Sequence, residues 1–97
     1  MSSNTTGTRN TTNGYAALQA NTTGGNNVAI GAYALAGNST GGRNTAIGDD
    51  SMFSNGTGST NVAVGAGSMY SNIIGIANSA IGVDSLRNSV GSYNVAH

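Results

Sequence analysis

The sequence predicts an all-β chain, a β-solenoid of about five rungs with 17 residues in each. Three observations carry this. Asparagine, glycine and a large apolar residue recur in fixed phase along the chain. The segments ahead of one glycine series alternate β-branched and small residues, as a short strand does. The composition favours turns over a bulky core: 16 of the 97 residues are Gly, only three are Arg and three Asp, and Lys, Glu, Cys, Pro and Trp are absent.

The first asparagine series is Asn10, Asn27, Asn44, Asn61 and Asn78. Gly14, Gly31, Gly48, Gly65 and Gly82 follow four residues later, and Leu18, Leu35, Met52, Met69 and Leu86 four after that. A second asparagine series, Asn21, Asn38, Asn55 and Asn72, precedes a second glycine series, Gly24, Gly41, Gly58 and Gly75. A disordered linker of the same composition has no reason to hold phase; a stacked solenoid must. The period is too short for paired helices. From Asn88 onward each series arrives one position early, which puts a missing residue between Leu86 and Asn88. Rungs are expected to start near residues 10, 27, 44, 61 and 78, with a truncated sixth from 94. Residues 1–9 read as a poorly ordered lead-in to a single repeat domain, 10–97.

Within a rung the expected order is a strand, a tight turn, a second short strand through Leu/Met, and a Gly-containing turn back. Rungs stacked about 4.8 Å apart would make a rod segment roughly 24 Å long. Stacked asparagines suit side-chain amide ladders along the rod. The first glycine series is expected at positive φ or against a neighbouring backbone, and the second in a left-handed backbone conformation at the chain reversal.

Alternation puts Val28 and Ile30 on one strand face and Ala29 on the other. The first face continues as Thr45/Ile47, Val62/Val64 and Ser79/Ile81; the second is alanine throughout, at Ala29, Ala46, Ala63, Ala80 and Ala96. An alanine-only face suggests burial on both sides, with the β-branched pair and the Leu/Met as the core of each rung. So few apolar side chains fall short of the cost of ordering a rung. The expected remedy is association of several chains, parallel, about an axis along the rod.

The motifs Asn27-Val28-Ala29-Ile30-Gly31, Asn44-Thr45-Ala46-Ile47-Gly48, Asn61-Val62-Ala63-Val64-Gly65 and Asn78-Ser79-Ala80-Ile81-Gly82 resemble repeats in the heads of trimeric autotransporter adhesins. Phage tail fibres carry similar repeats, and the second half of the unit resembles theirs too, at Ala34-Leu35-Ala36-Gly37-Asn38-Ser39-Thr40-Gly41. The resemblance covers nearly all of residues 10–96. It implies a left-handed parallel β-roll, a parallel homotrimer, and surface attachment through a glycan or protein receptor, at a cell surface or on a virion fibre. It implies no catalytic site. The 17-residue period lies closer to the fibre type, and the chain reads as a fragment of a longer fibre.

Several classes are disfavoured. Zero net charge with three scattered arginines is no footprint for nucleic acid. No apolar run spans a bilayer, and no targeting signal is present. Without cysteine there is neither disulfide nor thiolate metal site. The sole histidine is His97, and Asp49-Asp50 has no partner acid, base or nucleophile in phase; the reading is non-enzymatic, without cofactor or metal. Calcium-binding solenoids place Asp in every rung, whereas here only Asp50 and Asp84 share a phase. Asn-x-Ser/Thr triplets at Asn4, Asn10, Asn21, Asn38 and Asn55 read as by-products of Asn/Thr-rich turns.

Candidate contact residues come from positions that vary between rungs. Tyr15, Tyr33, Phe53, Tyr70 and Tyr93 offer aromatic patches for sugar rings or a protein partner, or packing between protomers. Asp49, Asp50, Asp84 and Arg87 are the charged members. Ile73, Ile74 and Ile76 replace polar turn residues and suggest an inter-chain contact or a sticky patch. A purely architectural spacer is the alternative function. Ice binding is a remote third, since the columns Thr22/Ser39/Gly56/Ile73 and Thr23/Thr40/Thr57/Ile74 lose threonine in later rungs.

Overall fold

The computed structural model describes residues 6–88 and 91–96 as one parallel β-solenoid of about five turns. His97, Asn4 and most of the expected lead-in lie outside the described residues. One strand per rung forms a six-stranded parallel sheet, in chain order: β1 (Thr11–Asn13), β2 (Val28–Ile30), β3 (Thr45–Ile47), β4 (Val62–Val64), β5 (Ser79–Ile81) and β6 (Val95–Ala96). Each strand pairs with the one 17 residues later, Ala29 with Ala46 and Ala46 with Ala63. The last pairing, Ala80 with Ala96, is one residue shorter. The register is intact at Arg87, whose carbonyl accepts the Ser71 N–H (2.9 Å), just as Tyr70 accepts that of Ser54. Solenoid bonding reaches back to Thr6 and Gly7, whose N–H groups donate to the Thr22 carbonyl.

The Leu/Met arc is not a second strand. It is a run of turns, with Ala17 N–H donating to Gly14 O, Gln19 to Ala16 O and Asn21 to Leu18 O. Leu18, Leu35, Met52, Met69 and Leu86 all sit at φ 51–53°. This left-handed conformation costs about a kcal/mol at each position. It is sustained because it turns the largest apolar side chain of the core inward, where the first four are fully buried. The arc still bonds to the next rung, Leu35 N–H to Ser51 O and Met52 N–H to Ser68 O.

The core differs from the expected one. Ala29, Ala46, Ala63 and Ala80 point inward and are completely buried, beside Leu18, Leu35, Met52 and Met69. The β-branched residues point out of the coil. A 17-residue coil is too narrow to hold two branched side chains opposite a Leu, and a methyl group is what fits. Alanine is therefore the core residue of the strand, and Ile30, Ile47, Val64 and Ile81 are its exterior. Ser51 and Ser68 share the inner face, with their hydroxyls 3.1 Å apart.

The rest of the interior is polar. In the first asparagine ladder the Oδ1 of each Asn accepts the backbone N–H of the next: Asn27 from Asn44 (2.9 Å), Asn44 from Asn61 (3.0 Å) and Asn61 from Asn78 (2.9 Å). The Nδ2 donates to the glycine carbonyl one rung on, Asn27 to Gly41 and Asn44 to Gly58. In the second ladder Asn38 Nδ2 donates to Asn21 Oδ1 (2.9 Å), Asn55 to Asn38 (2.7 Å) and Asn72 to Asn55 (2.9 Å). Both ladders meet at the same carbonyls: Asn27 and Asn38 each donate to Gly41. No buried polar side-chain atom lacks a partner among the described residues, as a low-dielectric interior demands.

The two glycine series have different causes. Gly31, Gly48, Gly65 and Gly82 lie at φ 125–128°, where only glycine is at ease, and a Cβ on the first three would overlap the next rung's backbone. Gly24, Gly41, Gly58 and Gly75 have no positive φ, contrary to expectation. A Cβ there would strike the asparagine Oδ1 three residues earlier and the next glycine carbonyl. They are glycine because the ladders need the space.

Candidate binding surfaces

Three surfaces emerge from the exterior columns. The first is the outward strand face. Register aligns Asn13, Ile30, Ile47, Val64 and Ile81 in one column and Thr11, Val28, Thr45, Val62, Ser79 and Val95 in the next. Ile47 is 37% exposed and Ile81 45%. The sheet thus presents a mainly apolar strip to solvent in the single chain, with Thr11, Asn13, Thr45 and Ser79 as its polar members. These side chains were expected in the core and lie outside it, because the coil has room on its inner face only for the alanine methyl groups.

The second surface is a line of aromatic rings. Tyr15 and Tyr33 meet edge to face with centroids 5.6 Å apart, Tyr33 and Phe53 are tilted at 6.0 Å, and Phe53 and Tyr70 are stacked at 5.0 Å with planes 5° apart. The Arg87 guanidinium carbon ends the line, 4.5 Å from the Tyr70 centroid. Arg87 Nη1 also donates to Asp84 Oδ1 at 2.7 Å. A Cβ on Gly67 would overlap both groups, so the bare backbone there makes room for the pair. Asp49 Oδ1 accepts the Ala32 N–H at 3.2 Å on the same arc, and Asp50 bonds through its backbone to Ala32 O. Tyr93 makes no ring contact with this line among the described residues and lies in the arc before β6.

The third surface is the turn into β5. Ile73, Ile74 and Ile76 are all exposed. Ile73 O accepts the N–H groups of Gly56, Thr57 and Gly58, so the turn is bonded into the rod although its side chains face water. Among the described residues Ile74 follows Thr6, Thr23, Thr40 and Thr57 in one exposed column. Thr22 next to that column donates its hydroxyl to Ser39 O.

Of the predicted contact residues, the structure gathers Tyr15, Tyr33, Phe53, Tyr70, Asp84 and Arg87 into one line and leaves the isoleucines on a different arc. The line was hidden in the sequence because its members occupy three repeat columns. No group of three or more His, Asp or Glu is placed to hold a metal ion among the described residues. Asn21, Asn38 and Asn55 are buried with their amides engaged, so their Ser/Thr triplets serve the ladder. The chain matches no protein-family model, no curated protein and no solved structure.

Proposed function

We propose that this chain is a segment of a non-enzymatic attachment fibre in which three copies stand parallel and side by side, each a left-handed roll. The observation that carries the reading is the outward strand face. From β2 to β5 it is a mainly apolar strip, of the kind that soluble monomers rarely leave open. Covering it with like strips adds apolar burial to that of the Ala and Leu/Met core. The strip is graded, which favours a parallel arrangement. Its first rung is polar, Thr11 and Asn13, and its later rungs carry Ile47, Val64 and Ile81. An antiparallel neighbour would set Asn13 against isoleucine; a parallel one sets each residue against its own kind. Three copies, the roll's hand and the role at a cell surface or virion come from the resemblance of the Asn-x-Ala-Ile/Val-Gly units to autotransporter heads and tail fibres.

Light scattering tests the assembly: a trimer is expected for the parent chain and a folded monomer for Ile47→Asp. A parent chain that is monomeric while folded overturns the reading. Binding of labelled trimer to bacterial or host cells then separates attachment from the alternative of a plain shaft. The spacer draws support from the interior, where both ladders serve stiffness alone.

A further inference from the structure

We infer that the Tyr15–Tyr33–Phe53–Tyr70–Arg87 line is the ligand-binding rail of this rod, and that its ligand is an uncharged linear glycan lying parallel to the rod axis. The inference builds on the attachment reading and names the class of receptor. The first ground is that the repeat itself does not produce the line. Tyr15 is one residue after its rung's glycine, Tyr33 two, and Phe53, Tyr70 and Arg87 follow the Leu/Met. Copying a unit would stack all rings in one column. Instead each rung delivers one group, from one of three columns; in two rungs the position left without a ring is small, Ala36 in the rung of Tyr33 and Gly67 in that of Tyr70. The rings nevertheless touch in single file, at 5.6, 6.0 and 5.0 Å.

The second ground is the chemistry of the line. It carries three phenol hydroxyls and aromatic edges, a mixed polar and apolar surface of the kind that amphipathic sugar rings meet well. Arg87 and Asp84 neutralise each other at 2.7 Å, and the other charged groups on this arc, Asp49 and Asp50, are carboxylates. A polyanion such as a phosphate or uronate chain finds no unpaired cation along the rings. Paired guanidinium and carboxylate groups remain able to share hydrogen bonds with neutral hydroxyls. The third ground excludes a peptide that adds as a strand. Such a partner binds by adding main-chain hydrogen bonds to an open edge. Along this arc those groups are taken, with Tyr33 N–H on Tyr15 O, Gly37 N–H on Phe53 O and Ser54 N–H on Tyr70 O. One ring per rung, at about the strand spacing, leaves a repeating linear ligand as the fit. Phe53 and Tyr70 face each other, so the ligand meets ring edges and hydroxyls there. Tyr15, 75% exposed, offers its ring at the open end.

The test is calorimetric titration of the full chain with β-1,4-linked glucose and β-1,4-linked N-acetylglucosamine oligomers, from disaccharide to hexasaccharide, with an oligouronate as the charged comparator. Affinity is expected to rise with length until the oligomer spans the rings. Tyr33→Ala, at the middle of the line, should weaken binding about tenfold, and Tyr15→Ala should weaken it less. Tyr70→Phe keeps the stack and loses a hydroxyl, so it should cost a few-fold. Circular dichroism melts check that each variant folds; if Tyr33→Ala does not, the exposed Tyr15→Ala and the ring-preserving Tyr70→Phe decide. Absence of saturable binding to every neutral oligomer, tighter binding to the oligouronate, or affinities indifferent to all folded variants each overturn the proposal. A chain that forms trimers and binds cells yet fails these titrations loses only the glycan, whereas a chain that stays monomeric loses the attachment reading itself.

Discussion

The two faces of the same three-residue strand obey opposite rules. Inside, Ala29, Ala46, Ala63 and Ala80 are sealed at zero exposure; outside, one residue along, Ile30, Ile47 and Ile81 stand in water. Large apolar residues are usually the buried ones. Here the coil is so thin that size decides against them, and the interior is completed by hydrogen-bonded amides. The interior is therefore sensitive to a lost atom or an added methyl, while the exterior can change without unfolding the chain. Contact with other molecules is written on the outside, and stability on the inside.

The sharpest way to break this contrast is at the ladder. Asn44→Ala removes the acceptor of the Asn61 N–H (3.0 Å) and the donor to Gly58 O (2.8 Å), both buried. Each orphaned group costs about 1–3 kcal/mol. A loss of roughly 3–5 kcal/mol is expected, enough to unfold the rod near room temperature, and denaturant melts measure it. Next comes the wall of the core. Ala63→Val adds two methyl groups where no space is left, and overpacking should cost about 1–3 kcal/mol. The neighbouring exterior swap Ile47→Asp should leave the single chain's melt nearly unchanged while abolishing assembly. If Ala63→Val were tolerated and Ile47→Asp unfolded the monomer, inside and outside would have been assigned the wrong way round.

The sequence carried the period, the strands, both asparagine ladders and the shortened last rung, because each depends on phase alone. It did not carry which strand face is inner. The alternation Val28-Ala29-Ile30 is symmetrical with respect to that question, and the usual ranking of apolar residues points the wrong way for a narrow coil. The Leu/Met arc read as a strand because left-handed φ at a leucine is disfavoured and nothing local announces it. The aromatic line was present as separate residues only; Tyr33 and Phe53 differ in phase by three positions, and only the coil's turns bring their rings together. The Arg87–Asp84 pair sits at an ordinary three-residue spacing, but its seat over Gly67 required the stacking of two rungs.

The smallest effect tests the backbone itself. The column Arg9, Asn26, Arg43, Thr60, Ala77 and Tyr93 holds φ between 58° and 63° in every rung. The geometry comes from the coil, since no residue in the column is glycine. Asparagine tolerates this region and a β-branched residue does not. Thr60 is exposed, and its N–H is fixed to Gly42 O at 2.9 Å, so the strain cannot relax by turning away. Thr60→Asn places there the residue that position 26 already has. Stability should rise by about 0.5–1 kcal/mol, seen as a higher denaturant midpoint with unchanged slope. A lower midpoint would mean that the left-handed column is not strained at threonine. Three residues further on, Ala63→Val is expected to move the midpoint the other way. The sign thus reverses within one rung as the chain passes from its surface to its core.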